Sequence, residues 1–334
     1  MYKMPGSRRK FIKNISLTAV ALSQSGIVHS RFKNNWTDDK KRIGIIGLDT
    51  SHSIEFTKLI NGNEGNFQNK GYRVTAAYPR GSADIESAVS RIPEYTETIK
   101  KMGVEIVDSI DELLKKTDFI LLETNDGRIH LQQALKVIAA GKPLFIDKPI
   151  ATSLKDAKVI FDAAERKKVP VFSSSVLRFT EEVQAAAKGE KGKVLGADTY
   201  SPAHIEKTHP DFFWYGVHGI EMLFAVMGTG CKKVTRIHTD DSDVAVGTWE
   251  DGRVGTFRGL HIGKLDFGGV AFGEKEIFSL GKFDGYENLV SQIINFFETG
   301  HSPVDKNETL EIIAFMEAAD ESKRSGGIPV SLKL

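Results

Sequence analysis

The chain has 334 residues, of which 40% are apolar, enough to fill one large core or two ordinary ones, and two domains are the expectation. Lys plus Arg (45) almost cancel Asp plus Glu (44), and no basic stripe interleaved with aromatics runs through the chain, so a nucleic-acid partner is not expected. The single cysteine, Cys231, excludes an internal disulfide and every Cys-rich metal site.

In chain order, the first feature is Ser7-Arg8-Arg9-Lys10-Phe11-Ile12-Lys13, which resembles a twin-arginine export signal and precedes a moderately apolar run, residues 15 to 28, that has no acidic residue. Val28 and Ser30 fit a small-residue cleavage site. Residues 1–30 therefore read as an export signal, 31–41 as a linker, and the mature protein as exported, periplasmic in a diderm cell; the plain alternative is a basic tail. No other segment reaches about 18 consecutive apolar residues, so no membrane span is expected after processing.

From Arg42 the pattern alternates. "RIGIIG" reads as a buried strand, "SIEFTKLI" as a helix, "YRVTAAY" as a strand, residues 83 to 101 as a helix, and "VEIV" as a short strand. A helix opened by Asp108 or Ser109, the strand "DFILLET", the helix "HLQQALKVIAAGK" and the strand "PLFID" follow. This alternation predicts a doubly wound parallel sheet over 42–150, with its ligand crevice at the strand C-termini. The helix "SLKDAKVIFDAAERKK" and the strand "VPVFSSS" continue it for one more unit. The pattern then changes: "DVAVGTW" and "RVGTFRG" flank a turn at Glu250-Asp251-Gly252, "GGVAFG" and "KEIFSL" add strands, and two helices close the chain. Residues 151–334 thus read as an α+β domain with a largely antiparallel sheet.

From about residue 40 to the C-terminus the chain resembles the glucose-fructose oxidoreductase, inositol dehydrogenase and MocA-like family. The resemblance rests on Asp147-Lys148-Pro149 with Ala151 and "SLKDA" after it, on "YGVHGIEML", and on "ESKRSGGIPVSL", in this order and spacing. It implies a Rossmann-like dinucleotide-binding domain followed by a substrate-binding and oligomerisation domain. It also implies hydride transfer between a nicotinamide dinucleotide and a hydroxyl-bearing carbon of a sugar, glycoside or polyol. In it, Lys148 reaches the reacting oxygen and stabilises charge there, and His218 is the general base. Each also has a plain reading, a surface lysine after a strand and a core histidine on an apolar helix.

Two departures from the family pattern stand out. Where the family carries an aspartate four residues before the histidine, this chain has Trp214; Glu221, three residues after His218, either takes the carboxylate role or packs for structure. In the nucleotide-binding turn "GLDTSH", Gly47 is kept, while Asp49 and His52 replace the second and third glycines. An anionic Asp49 about 4 Å from a phosphate costs on the order of 1 to 4 kcal/mol. Against that, the helix N-terminus offers free amides, and Thr50, Ser51 and Ser53 offer hydroxyls or caps. Asp49 could also turn away, cap the helix, or hold His52 as a cation facing the phosphate.

Cofactor contacts are expected from Gly47, Asp49, Thr50, Ser51, His52, Thr124 and Asn125, with Arg80 and Ser82 able to take a 2′-phosphate, which favours NADP over NAD. His130 after "FILLET", and His204, Lys207, His209, Asp211, Trp214 and Tyr215 before His218, are candidates for a carbohydrate pocket in which aromatic faces meet sugar C–H surfaces. Two other functions stay open. One is a metal-assisted lyase or hydrolase using Asp49, His52, His204, His209, His218 or Glu221, although no pair has a diagnostic metal spacing and no metal is expected. The other is a sugar-binding module without turnover. A homo-oligomer through the C-terminal sheet, tested at the hairpin from Val244 to Arg258, completes the expectations.

Overall fold

The computed structural model describes residues 41–62 and 69–334. The export-signal reading and most of the linker lie outside the described residues. Six parallel strands form the first sheet: β1 (Arg42–Ile46), β2 (Arg73–Tyr78), β3 (Glu105–Ile106), β4 (Phe119–Leu122), β5 (Leu144–Asp147) and β6 (Val171–Ser174), in the order β3-β2-β1-β4-β5-β6. Ile43, Ile45 and Ile46 of β1 and all of β4 are wholly buried. That is why these strands read as continuous apolar runs: helices cover both faces of the sheet. The sheet continues past residue 150 to Ser174, so the unit after Pro149 belongs to it.

Local chemistry sets the helix boundaries. Thr50 caps the helix Ser51–Asn61, its hydroxyl 3.4 Å from the His52 amide, and Ser109 caps Ile110–Lys116 by accepting from the Glu112 amide at 3.1 Å. The single helix expected over residues 83 to 101 is two, Glu86–Val89 and Ile92–Lys101, because Pro93 favours a fresh helix start.

The second sheet has seven strands: β7 (Val194–Pro202), β8 (Cys231–His238), β9 (Ser242–Trp249), β10 (Val254–Leu260), β11 (Gly268–Gly273), β12 (Ile277–Leu280) and β13 (Val330–Ser331), in the order β12-β11-β7-β10-β9-β8-β13. Every pair is antiparallel except β7 with β10. The predicted turn joins β9 to β10, with Gly252 at φ +86°. One face packs on the apolar helix Val217–Met227, which carries His218.

The late helix Glu287–Thr299 crosses back to the first sheet. Phe296 meets Phe172 of β6 edge-on at 4.8 Å, and Phe297 lies 4.9 Å from Phe119 of β4. This return brings Tyr286, just before the helix, to the mouth of the first sheet, where it meets His52 edge-on at 5.0 Å.

Candidate active site

A cleft of about 470 Å³ lies at the C-terminal ends of the parallel strands. Thr50, Ser51, His52, Asn125 and Lys148 reach it from the strand ends and His204, Trp214, Tyr215 and His218 from the second domain, while Ser87, Arg91, Tyr95 and Tyr286 complete it. Among the described residues no carboxylate lines it.

Lys148 follows β5 directly and is nearly buried, its Nζ 3.9 Å from Asp147 Oδ2. Across the cleft, His218 Nδ1 lies 2.8 Å from Ser175 Oγ. Burial, then the charges of Lys148 and His52, hold the His218 imidazole well below the usual histidine range, against an opposing pull from Asp147. A neutral ring tied through Nδ1 leaves Nε2 to accept a proton.

The same burial gives a stability prediction. A histidine whose folded pKa is depressed contributes stability that is complete above about pH 6.5 and is lost as pH falls below it, at about 1.4 kcal/mol per pH unit. Urea midpoints at pH 7.5, 6.0 and 5.0 should show this slope in the wild type and a shallower one in His218→Gln. Equal slopes would mean that His218 is not held neutral.

Glu221 does not orient His218. Its Oε2 accepts from Arg178 Nε at 2.8 Å, and Arg178 NH1 is also paired with Glu308 at 2.6 Å. Residues three apart on a helix are offset by about 60° around the axis, and the buried guanidinium takes the carboxylate. Ser175 fills the orienting position instead. Nothing in the sequence singled it out, because it comes from the loop after β6.

Asp49 turns inward and is fully buried. Its Oδ2 accepts the Ser82 amide and its Oδ1 the Asn125 amide, each at 2.9 Å, so it clamps the loops after β2 and β4 together. Burial pushes its carboxyl up, and these two N–H donors oppose the shift. Gly81 must be glycine beside it, since a Cβ there would lie 2.0 Å from Asp49 Oδ2. Gly47, at φ +93°, packs against Thr124, whose backbone a Cβ would meet at 2.6 Å. Thr50, not Asp49, caps the helix, and His52 is held by Asp147 Oδ2 at 2.9 Å.

Several expected ligand contacts are structural. Thr124 is buried under Gly47 rather than lining the cleft. His130 is buried with its ring nitrogens 2.9 Å from the Pro149 carbonyl and 2.6 Å from the Thr124 carbonyl, because the helix it starts runs back beneath the strand ends. His209 lies outside the cleft, its ring tilted against Trp214 at 5.0 Å, with Nε2 3.3 Å from Asp126. Asp211 pairs with Arg236 and Lys323. Of the expected pocket residues, His204, Trp214 and Tyr215 do line it.

The NADP preference loses its basis. Arg80 is exposed, while the Ser82 hydroxyl is committed to Asp126 Oδ2 at 3.2 Å and Asp84 Oδ1 at 3.4 Å, both carboxylates being themselves paired with Arg128, so it is not free to bind a 2′-phosphate. A dinucleotide otherwise suits the cleft. Asp49 is turned out of it, and the helix N-terminus, the Thr50 and Ser51 hydroxyls and Arg91 face in.

Glu123, at the end of β4, had no signal in the sequence beyond an acidic residue closing an apolar run. It is fully buried with neither carboxylate oxygen hydrogen-bonded among the described residues, and burial followed by Asp147 pushes its carboxyl well above the usual range. No helix among the described residues is long and apolar enough to cross a membrane.

Residues 41–175 match the model of an oxidoreductase family with an NAD-binding Rossmann fold. An inositol 2-dehydrogenase of Cereibacter sphaeroides is 32% identical over 127 residues, covering 37% of this chain and 33% of that protein, so the match spans about a third of the relative's length. Among solved structures, scyllo-inositol dehydrogenase from Lactobacillus casei, with bound NAD(H) and scyllo-inositol, aligns with a TM-score of 0.71 at 15% identity over 88% of this chain and 99% of that one. The WlbA dehydrogenase from Bordetella pertussis, in complex with NADH and UDP-GlcNAcA, aligns with a TM-score of 0.70 at 19% identity, covering 90% and 99%. The likeness to these two structures establishes the fold over both domains.

Proposed function

We propose, from the premise that residues 41–175 belong to the NAD-binding Rossmann fold of the glucose-fructose oxidoreductase, inositol dehydrogenase and MocA-like family, that the protein oxidises or reduces a hydroxyl-bearing carbon of a sugar, glycoside or polyol. The observation that carries this reading is the meeting of Lys148 and a neutral, Ser175-tied His218 in one cleft. A nicotinamide dinucleotide bound there supplies the hydride acceptor or donor. Thr50, Ser51 and Arg91 hold its phosphates, and Asn125 fixes the loop after β4 beside it.

In the oxidative direction the substrate O–H proton passes to His218 Nε2 while Lys148 donates hydrogen bonds to the same oxygen and stabilises its negative charge. Trp214 and Tyr215 offer faces to the C–H surface of the ring, and His204 and Arg91 offer donors to its hydroxyl or acidic groups.

NAD is the favoured cofactor, because the Ser82 hydroxyl expected to take a 2′-phosphate is already bonded to Asp84 and Asp126. Protein purified folded, then denatured and analysed by mass spectrometry, should release NAD(H), and titration of any empty fraction should favour NAD(H) over NADP(H) by about tenfold or more. No released nucleotide and no affinity in the millimolar range would sink the oxidoreductase reading.

Export rests on the twin-arginine-like "SRRKFIK", and folded export fits an enzyme that carries its nucleotide with it. A second copy of the chain is the proposed cover for the open face of the second sheet, where Ile237 and Val254 are exposed. Light scattering on Ile237→Lys against the wild type tests that pairing.

A further inference from the structure

Beneath the floor of the cleft, three side chains from separate segments converge. His52 comes from the first turn of its helix, Glu123 from the end of β4 and Asp147 from the end of β5, and one donor atom of each lies within 4.8 Å of the others. All three are buried. His52 Nδ1 and Asp147 Oδ2 are 2.9 Å apart, but Asp147 Oδ1 and both oxygens of Glu123 have no hydrogen-bond partner among the described residues. Lys148 Nζ, 3.9 Å from Asp147 Oδ2, balances charge without taking an oxygen.

Carboxylate oxygens in a dry site without donors are costly, and such groups bind a proton or a metal. The grouping favours the metal. A tetrahedral ion with bonds of about 2.0–2.2 Å needs donors about 3.4 Å apart, a spacing these side chains reach by small rotations. One imidazole nitrogen with carboxylate oxygens is a mixed N/O set suited to Zn²⁺ or Mn²⁺ rather than to thiolate-seeking ions. His52 also lines the cleft.

The other such cluster among the described residues, His238, Asp243 and His261, differs in the feature that matters. Both Asp243 oxygens are already bonded, Oδ1 to Arg236 and His238 and Oδ2 to His261, so no carboxylate oxygen is left for an ion.

We propose that His52, Glu123 and Asp147 form a binding site for a divalent first-row cation in the floor of the cleft. The site is independent of the oxidoreductase reading. A cation there offsets the carboxylates gathered under the strand ends, so it also raises affinity for an anionic ligand in the cleft above.

The test uses the full chain, purified without a polyhistidine tag and stripped with a chelator, then titrated with Zn²⁺ or Mn²⁺ by calorimetry, with bound metal counted by mass spectrometry. The expected result is about one equivalent bound with Kd in the micromolar range or tighter, and a melting midpoint raised by several degrees at saturation. Glu123→Gln keeps the shape and cannot ionise to ligate a cation, so it should fold at least as stably in chelator. It should bind the metal on the order of 100-fold more weakly and lose the midpoint shift. Folded wild type that binds neither ion at millimolar concentration would overturn the proposal and leave a proton on Glu123. Binding that Glu123→Gln and Asp147→Asn do not weaken would overturn it by placing the ion elsewhere. None of these readouts uses turnover, so failure here and failure of the oxidoreductase reading are separate results.

Discussion

Lys148→Ala is expected to lower kcat by about 10²- to 10³-fold, the range seen when one preorganised donor to a developing oxyanion is removed. The side chain is nearly buried at the end of β5 and lines the cleft with His218. In the proposed mechanism its hydrogen bonds to the substrate oxygen strengthen as charge develops, so the loss should fall on kcat more than on KM. Lys148→Arg should not rescue, because a planar guanidinium does not fit the place of a compact ammonium in a closed site. His218→Ala should cost a comparable factor, and the double variant less than the product, since the two groups act on one proton and one oxygen. Steady-state rates on the most reactive polyol, with nucleotide affinity measured on the same preparations, check this. A Lys148→Ala enzyme that binds nucleotide normally and keeps its kcat within threefold would remove Lys148 from the chemistry.

The reach of the sequence can be judged residue by residue. The parallel sheet was legible because strands buried on both faces are unbroken apolar runs, as "IGII" and "FILL" are, and because the helices between them carry local caps such as Ser109. Lys148 and His218 were legible only through the family resemblance. Their neighbours were not, because they arrive by tertiary return. Tyr286 reaches the cleft since its helix crosses to the first sheet through Phe296 and Phe297, and Ser175 meets His218 across 43 positions of chain. His130 and His209 misled for the same reason: in sequence a histidine looks alike whether its ring faces a ligand or, as here, a backbone carbonyl or a buried carboxylate. Glu221 and Asp49 show that a carboxylate's role depends on which donors reach it. Arg178 claims the first and two backbone amides the second.

Asp49→Gly separates two accounts of the altered turn. If Asp49 acted on the nucleotide by repulsion, restoring the familiar glycine would tighten binding by one to three decades, the equivalent of about 1 to 4 kcal/mol. The structure predicts the opposite. The carboxylate receives the Ser82 and Asn125 amides, and its removal strands two donors in a buried place. Hydrogen bonds to a charged group are worth about 1.5 to 3 kcal/mol each. Desolvation of the carboxylate, which pushes its pKa up, offsets part of that, so the expected loss of stability is about 2 to 4 kcal/mol. Because Asn125 lines the cleft, freeing its loop should also weaken NAD(H) binding. Asp49→Asn keeps one acceptor oxygen and should fall between the two. Gly81→Ala, whose Cβ would lie 2.0 Å from Asp49 Oδ2, should reproduce the loss without touching the charge. Urea unfolding and nucleotide titration of the three variants decide the matter. Tighter binding in Asp49→Gly and Asp49→Asn, with stability unchanged, would mean that the carboxylate faces the ligand. Weaker binding and lower stability in Asp49→Gly and Gly81→Ala would mean that the chain has turned a phosphate-binding glycine into a clamp between two of its own loops.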